Sequence, residues 1–256
     1  MVYANGIGPI DKPLNRQLTR WILDKVDIIS LRDKGSLNFV KSIGVRNKNI
    51  IVTADPVFTL NPAEDKRVEE ILSQEGIKSD QPMIGISARS WKNVDEIADS
   101  VAGGIKKLID EYSVTAVMIP MHYPEDLEIS ERIEGMVDSS RCRTLKGKYS
   151  VEELMGVISK VELMAAMRLH SLIYAATQGT PMAGIVYDPK VQGFLDELEI
   201  PYSIDVKGIT SENFYKVIEN AWNDREAIAM KISEHKCRLE NLAIENVKQA
   251  FSLIGR

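Results

Sequence analysis

Short apolar runs alternate with amphipathic stretches along most of the chain. The apolar runs, bounded by turn-forming residues, predict seven β-strands: Met1–Ala4, Asp27–Leu31, Asn49–Ala54, Met83–Ala88, Thr115–Met121, Val161–Ala166 and Met182–Tyr187. The stretches between them space their apolar residues as helices do and include Leu14–Lys25, Gly35–Ile43, Lys66–Gln74, Val94–Glu111 and Val151–Ser159. This alternation favours parallel strands joined by helices, in an open, doubly wound α/β sheet.

A polar, turn-rich segment at 73–82, SQEGIKSDQP, separates the first three predicted strands from the last four. It predicts two domains, residues 1–78 and 79–256. The tail from residue 211 to 256 is predicted to be helical throughout, because its apolar residues recur at roughly helical spacing: Ile228, Ile232, Leu239, Leu242 and Val247.

Composition narrows the function classes. The 256 residues are 44% hydrophobic and carry a net charge of −5, whereas nucleic-acid binders are usually basic, so that class is set aside. The two cysteines, Cys142 and Cys237, match no metal-ligand or redox spacing. No apolar run approaches the ~20 residues that cross a bilayer, and no segment resembles a signal peptide, so we expect a cytosolic protein.

Cationic or titratable side chains follow every strand of the second half. They are Arg89, His122, Arg168 with His170, and Lys190. Ligands of parallel α/β sheets bind beyond the carboxyl ends of the strands, so this layout in an acidic protein predicts a phosphate or carboxylate site. In the first half, Asn5 and Gly6 of the glycine turn NGIGP and Arg32 follow strands in the same way. Each arginine or lysine among these residues could instead be a solvated loop charge, and His122 could be a loop cap.

Arg168 and His170 are the strongest candidates. The apolar residues that follow predict a helix that begins near Leu169, ends at Gly179 and cannot continue through Pro181. His170 would then lie in the first turn, where free N–H groups and the helix dipole favour an anion. Two turns are also predicted. Residues 187–189 stiffen the approach to Lys190, and residues 55–56 form a turn or, alternatively, accept a sugar hydroxyl.

Several segments resemble the polysaccharide pyruvyl transferase family, in particular the bacterial cell-wall pyruvyl transferases of the CsaB type. They occur in family order over nearly the whole chain: YANGIGPI, SLRDKGS, VTADPVF, IGISARSW, IPMHYPED and MRLHSLIYAATQGTPMAGIVYDPKV. The resemblance implies a GT-B-like fold, with two Rossmann-like domains of parallel sheets and C-terminal helices. Family members carry a longer N-terminal segment with a GGGSL-like motif. The resemblance therefore implies that residues 1–78 are an incomplete N-terminal domain and residues 79–256 the donor-binding domain.

The family uses phosphoenolpyruvate to form a pyruvyl ketal on a sugar, and phosphate is released. Phosphoenolpyruvate carries a phosphate and a carboxylate, so fixed cations suit it, and a histidine can move the protons that ketal formation requires. On this resemblance His170 is the expected general acid/base and Arg168 a bidentate fork for the donor. The other expected substrate-binding residues are Arg89, Lys190, Arg32, His122, Asn5 and Gly6. No metal or cofactor is expected besides the donor substrate.

The resemblance further implies a lipid-linked amino-sugar acceptor. Peripheral membrane contact and a homo-oligomer are both compatible with it, and the sequence does not decide either. We expect catalysis on the acceptor to need the segment that precedes YANGIGP in the family, and the first strand to be covered by the C-terminal helix, a partner chain or disorder. Two alternatives use the same cations: a nucleotide-sugar glycosyltransferase or epimerase of GT-B fold, and an inactive anion-binding module.

Overall fold

Strands and helices alternate along the chain in the computed structural model, which describes residues 1–254. The strands are β1 (Val2–Asn5), β2 (Ile29–Leu31), β3 (Ile50–Val52), β4 (Met83–Ser87), β5 (Thr115–Met118), β6 (Cys142–Thr144), β7 (Leu163–Ala166), β8 (Met182–Val186) and β9 (Ser203–Asp205). The helices are α1 (Pro13–Leu23), α2 (Lys34–Ser42), α3 (Asp65–Gln74), α4 (Val94–Tyr112), α5 (Glu125–Val137), α6 (Val151–Ile158), α7 (Leu169–Gln178), α8 (Pro189–Glu197), α9 (Ser211–Asn223) and α10 (Arg225–Ile254). A short 3-10 helix covers Pro56–Thr59.

The chain forms two units, and the first is discontinuous in sequence. Unit 1 comprises Met1–Leu60 and the C-terminal residues from His235, whereas unit 2 comprises Asn61–Glu234. These bounds differ from the sequence-based domains, because residues 61–78 group with unit 2 and the end of α10 groups with unit 1. The functional roles expected of the two domains stay predictions.

Unit 1 is built on a three-stranded parallel sheet in the order β1-β2-β3. Its core joins the end of α1 to β2 and α2 through four buried side chains, Leu23, Ile29, Leu31 and Val40. Helix α2 begins after Asp33, whose carboxylate accepts the backbone N–H of Ser36 at 2.6 Å. This cap satisfies one of the free donors at the helix start.

The C-terminal part of α10 packs within unit 1 through a buried amide. The Asn246 side chain accepts a hydrogen bond from Thr53 Oγ1 at 2.8 Å and donates to the Ala54 carbonyl at 3.0 Å. Asn246 is fully buried. Its hydrogen bonds therefore link the end of the chain to the segment that follows β3.

Unit 2 contains a six-stranded, all-parallel sheet in the order β6-β5-β4-β7-β8-β9. The α/β prediction is confirmed, and the central strands are buried along their whole length, as parallel strands covered by helices on both faces are. From β4 the chain runs outward through β5 to β6 and then returns to β7 on the other side of β4. The order of strands thus reverses between β4 and β7, which is where doubly wound sheets open a binding crevice.

The sequence-based elements differ from the structure mainly at their ends. Strands β6 and β9 were not predicted, because each is a three-residue edge strand that includes a charged residue, CRT and SID. The prediction for residues 187–189 is wrong at Pro189, which begins α8 after Asp188 has capped it. Helix α7 begins at Leu169 and ends at Gln178, with Gly179 as its C-cap, as predicted. None of the helices within residues 1–254 is long and apolar enough to cross a membrane.

Candidate active site at the carboxyl edge of the unit 2 sheet

Candidate side chains follow four adjacent strands of unit 2. Arg89 lies two residues beyond β4 and Arg168 two residues beyond β7, on either side of the point where the strand order reverses. His122 follows β5, and Lys190 follows β8. Because β5, β4, β7 and β8 are neighbours and run parallel, the loops that carry these residues meet at one edge of the sheet.

Arg168 is held by a buried carboxylate. Its Nε and Nη2 atoms donate to the two carboxylate oxygens of Asp126 at 2.9 and 2.5 Å. Asp126 also accepts the backbone N–H groups of Met121 and His122, at 3.3 and 2.9 Å, and its side chain is fully buried. The carboxylate therefore joins the loop after β5, the first turn of α5 and the residue that caps α7.

This ion pair changes what Arg168 can offer a ligand. The edge of the guanidinium formed by Nε and Nη2 is occupied by Asp126, so a second bidentate partner can approach only along the edge formed by Nη1 and Nη2. The neighbouring carboxylate also offsets the positive charge of Arg168. The arrangement thus gives Arg168 a fixed orientation and reduces its contribution to the positive potential of the site.

Arg89 lies in a different environment, formed by two aromatic rings. Its Nη1 atom donates to Tyr187 Oη at 2.8 Å, and its Cζ atom lies 4.8 Å from the centre of the Tyr187 ring and 5.1 Å from that of Trp91. The two rings are tilted by 60° with their centres 4.9 Å apart. Aromatic faces attract a guanidinium without neutralising its charge. They hold Arg89 in place and leave it cationic.

His170 and Lys190 lie in the first turns of two helices. His170 is the second residue of α7, is exposed, and packs against Tyr174 with the ring centres 6.2 Å apart. Lys190 is the second residue of α8, where its backbone N–H donates to the Asp188 carboxylate at 2.8 Å. The N–H groups at the start of a helix favour anions, so the position of His170 suits a negatively charged ligand. At the start of α8 the Asp188 carboxylate already takes up one N–H group, so there the Lys190 ammonium group is what would attract such a ligand.

His122 takes part in a local contact. Its Nδ1 atom lies 2.9 Å from a carboxylate oxygen of Glu125 in the first turn of α5, and both side chains are more than half exposed. Together with its backbone bond to Asp126, this contact agrees with the loop-capping alternative. A substrate-binding role for His122 stays a prediction.

The remaining candidates, Arg32, Asn5 and Gly6, lie in unit 1. Arg32 Nη1 donates to the Asp55 carboxylate at 2.7 Å, and a Cβ atom on Gly6 would lie 2.8 Å from Arg32 Nε. A side chain at position 6 would therefore displace the guanidinium. Asp55 also accepts the N–H of Val57 at the start of the 3-10 helix, which agrees with the predicted turn. The role of Arg32, Asn5 and Gly6 in substrate binding stays a prediction.

The cations at the carboxyl edge of the unit 2 sheet differ in whether a carboxylate pairs with them. Within residues 1–254, no carboxylate forms an ion pair with Arg89 or Lys190, whereas Arg168 is paired with Asp126. Unpaired cations beside helix N-termini produce the positive potential that an anion requires. The part of the chain that the structure describes contains no group of three or more His, Cys, Asp and Glu residues placed to hold a metal ion.

Sequence reasoning missed three residues of this edge. Asp126 stands in the motif IPMHYPED, four residues after His122, but nothing in the sequence shows that it pairs with Arg168. Tyr187 was interpreted only as the last residue of a strand and the first of a turn, and Trp91 was not considered. An aromatic residue two positions after Arg89, and another just before the Lys190 motif, were the available indications.

The model of the polysaccharide pyruvyl transferase family matches residues 1–189, which include the Arg89, Arg168 and His170 positions. The chain belongs to the polysaccharide pyruvyl transferase family. Among curated proteins it is 20% identical over 246 residues to the amylovoran biosynthesis protein AmsJ of Erwinia amylovora, covering 90% of this chain and 59% of that protein. The chain therefore spans about three fifths of that relative's length.

Solved structures of low sequence identity share the fold. MnaA of S. aureus, solved with UDP, is 17% identical with a TM-score of 0.68, over 97% of this chain and 66% of that one. The UDP-GlcNAc 2-epimerase of Neisseria meningitidis, bound to UDP-GlcNAc, is 15% identical with a TM-score of 0.67, over 95% and 66%. HepE of Anabaena in complex with UDP is 13% identical with a TM-score of 0.66, over 99% and 71%. The predicted GT-B-like α/β class with a helical C-terminus is confirmed.

Proposed function

We propose that this member of the family transfers a pyruvyl group from phosphoenolpyruvate to a sugar of a cell-wall polysaccharide precursor, as the CsaB-type enzymes do. One observation carries the proposal. Arg89 and Lys190, cations without a carboxylate partner in residues 1–254, lie at the same sheet edge as His170 in the first turn of α7. A small dianion or trianion fits this arrangement of charges.

In the proposed reaction His170 moves the protons. It protonates the methylene carbon of phosphoenolpyruvate, which gives an oxocarbenium-like centre at the neighbouring carbon, and then accepts the proton of the sugar hydroxyl that attacks this centre. Phosphate leaves with the electrons of its C–O bond, and a second hydroxyl closes the ketal and gives its proton to the departing phosphate. Arg89 and Lys190 hold the phosphate and carboxylate, and Arg168 offers its remaining edge.

The acceptor is proposed to be a lipid-linked amino sugar, which would place the reaction in the cytoplasm at the inner face of the membrane. The chain spans about three fifths of the length of its curated relative AmsJ. Complete pyruvyl transfer is therefore a proposal. Arg32, Asn5 and Gly6 are proposed to take part in substrate binding.

A nucleotide-sugar enzyme is the second candidate. It is favoured by the folds of MnaA and the UDP-GlcNAc 2-epimerase, which are solved with UDP or UDP-GlcNAc. At 17% and 15% identity this likeness concerns the fold alone, so the family match ranks pyruvyl transfer first.

Calorimetry with phosphoenolpyruvate tests the proposal directly. We expect the wild-type chain to bind it, and Arg89→Ala and Lys190→Ala each to weaken binding by about 2 kcal/mol, or roughly thirtyfold, because a charged hydrogen bond is lost. His170→Ala should bind phosphoenolpyruvate normally but abolish acceptor-dependent release of phosphate in a chain that turns over. Binding of UDP-sugars without phosphoenolpyruvate would favour the second candidate, and binding without turnover, even when the preceding family segment is supplied, would favour an inactive module.

A further inference from the structure

Tyr187 differs from four other tyrosines of unit 2 in the charge of its hydrogen-bond partner. The hydroxyl groups of Tyr112, Tyr149, Tyr202 and Tyr215 all donate to carboxylates. The Tyr187 hydroxyl instead accepts a hydrogen bond from the guanidinium of Arg89 at 2.8 Å.

Because the Tyr187 hydroxyl accepts the bond from Arg89, its own hydrogen is not used in that bond. A phenol can accept one hydrogen bond while it donates another, and no acceptor for the Tyr187 hydrogen occurs within residues 1–254. A bond from a cationic donor polarises the hydroxyl and strengthens the bond that it donates in turn. The best acceptor for such a hydrogen is an anionic oxygen.

The position of Tyr187 agrees with this chemistry. It directly follows β8 and precedes the helix that carries Lys190, and its ring packs against Trp91. The phenol is only partly buried, so a ligand at the sheet edge can reach it. Arg89, Tyr187 and Lys190 thus place a guanidinium, a hydroxyl and an ammonium group along neighbouring strand ends.

We propose that Tyr187 is a donor-binding residue, whose hydroxyl accepts from Arg89 and donates to an oxygen of the bound phosphoenolpyruvate. The inference rests on the proposed function. It adds to the site a hydrogen-bond donor that favours ligands with an anionic oxygen. It also makes Arg89 and Tyr187 a coupled pair, because each fixes the other in the orientation that the anion requires.

Tyr187→Phe removes the hydroxyl and keeps the ring, and Tyr202→Phe is its matched control. Tyr202 precedes β9, at the opposite end of the strands, and loses a hydroxyl bonded to Asp224. We expect Tyr187→Phe to raise the Kd for phosphoenolpyruvate at least about tenfold in calorimetry with the full chain. Tyr202→Phe should leave it unchanged, and both variants should keep the far-UV circular dichroism of the wild type.

A double-mutant cycle separates a shared contact from two independent ones. If Tyr187 and Arg89 bind the anion as a pair, the combined loss in Arg89→Ala/Tyr187→Phe should be smaller than the product of the two single losses. A Tyr187→Phe variant that binds within twofold of the wild type would overturn this inference and leave the proposed function standing. A wild-type chain that binds no phosphoenolpyruvate would overturn the proposed function, and this inference with it.

Discussion

The buried carboxylate of Asp126 gives a sharp test of how the candidate site is held together. Asp126→Asn keeps the size of the side chain but removes its charge and turns one of its two acceptor oxygens into a donor. The amide NH2 group faces a donor of Arg168 in either orientation, and in place of Oδ2 it also faces the backbone N–H groups of Met121 and His122. The variant thus leaves hydrogen-bond donors unpaired in a buried region.

The expected loss follows from the burial of the two partners. Removing one member of a buried ion pair costs about 3–5 kcal/mol, because the other charge is left uncompensated. The Asp126 side chain is 0% exposed and that of Arg168 is 22% exposed, so water can recover part of the loss at the arginine. We therefore expect the free energy of unfolding to fall by about 3 kcal/mol, equivalent to a decrease in Tm of about 6–12 °C for a domain of this size.

Urea denaturation followed by circular dichroism measures this loss. The matched control is Asp95→Asn, since Asp95 pairs with Arg132 at 2.6 Å, but the two side chains are 77% and 42% exposed. An exposed pair contributes under about 1 kcal/mol, so the control should stay close to the wild type. Equal losses in the two variants would refute the reasoning, because burial would then have no effect on the strength of the pair.

Two further predictions concern backbone strain and thiol reactivity. Gly8→Ala should lower the free energy of unfolding by about 2 kcal/mol or more in urea titrations, because φ is +89° and the added Cβ would lie 2.4 Å from Phe39 Cγ. Gly76→Ala, at φ +66° with no described atom within 4 Å, should cost less, and a larger loss at Gly76 would contradict the steric argument. Burial raises the pKa of the Cys142 thiol to about 12, whereas Cys237 is exposed. At pH 8 Ellman's reagent should therefore modify only Cys237 in the native chain and both thiols in denaturant. Rapid modification of both thiols in the native chain would contradict the burial of Cys142.

The central strands and helix α7 could be predicted because local residues determine them. Continuous apolar runs such as Met83–Ser87 are typical of strands covered on both faces, and Gly179 and Pro181 mark the end of α7. The positions of Arg89 and Arg168 after these strands followed from the same pattern. Their neighbourhood at one edge then follows from the topology of parallel sheets.

The partners of the site residues could not be predicted because they are distant in sequence. Asp126 and Arg168 are separated by 42 residues, and Arg89 and Tyr187 by 98. Sequence patterns show which side chains follow a strand, but they do not show whether a carboxylate or an aromatic ring from another loop will meet them. The prediction of Arg168 as an open fork therefore lacked the ion pair that takes up one of its edges.

The return of α10 to unit 1 has a consequence for synthesis on the ribosome. The hydrogen bond between Thr53 and Asn246 joins residues 193 positions apart, although both belong to the same unit. Closing so long a loop costs about 2–3 kcal/mol more in chain entropy than closing a ten-residue loop. All of unit 2 is translated in between, so its sheet can fold while unit 1 still lacks the helix that bonds to Thr53 and Ala54. Thr53 and Ala54 are thus synthesised well before the helix to which they bond, and during that interval the sheet of unit 1 is the part that a chaperone would need to shield.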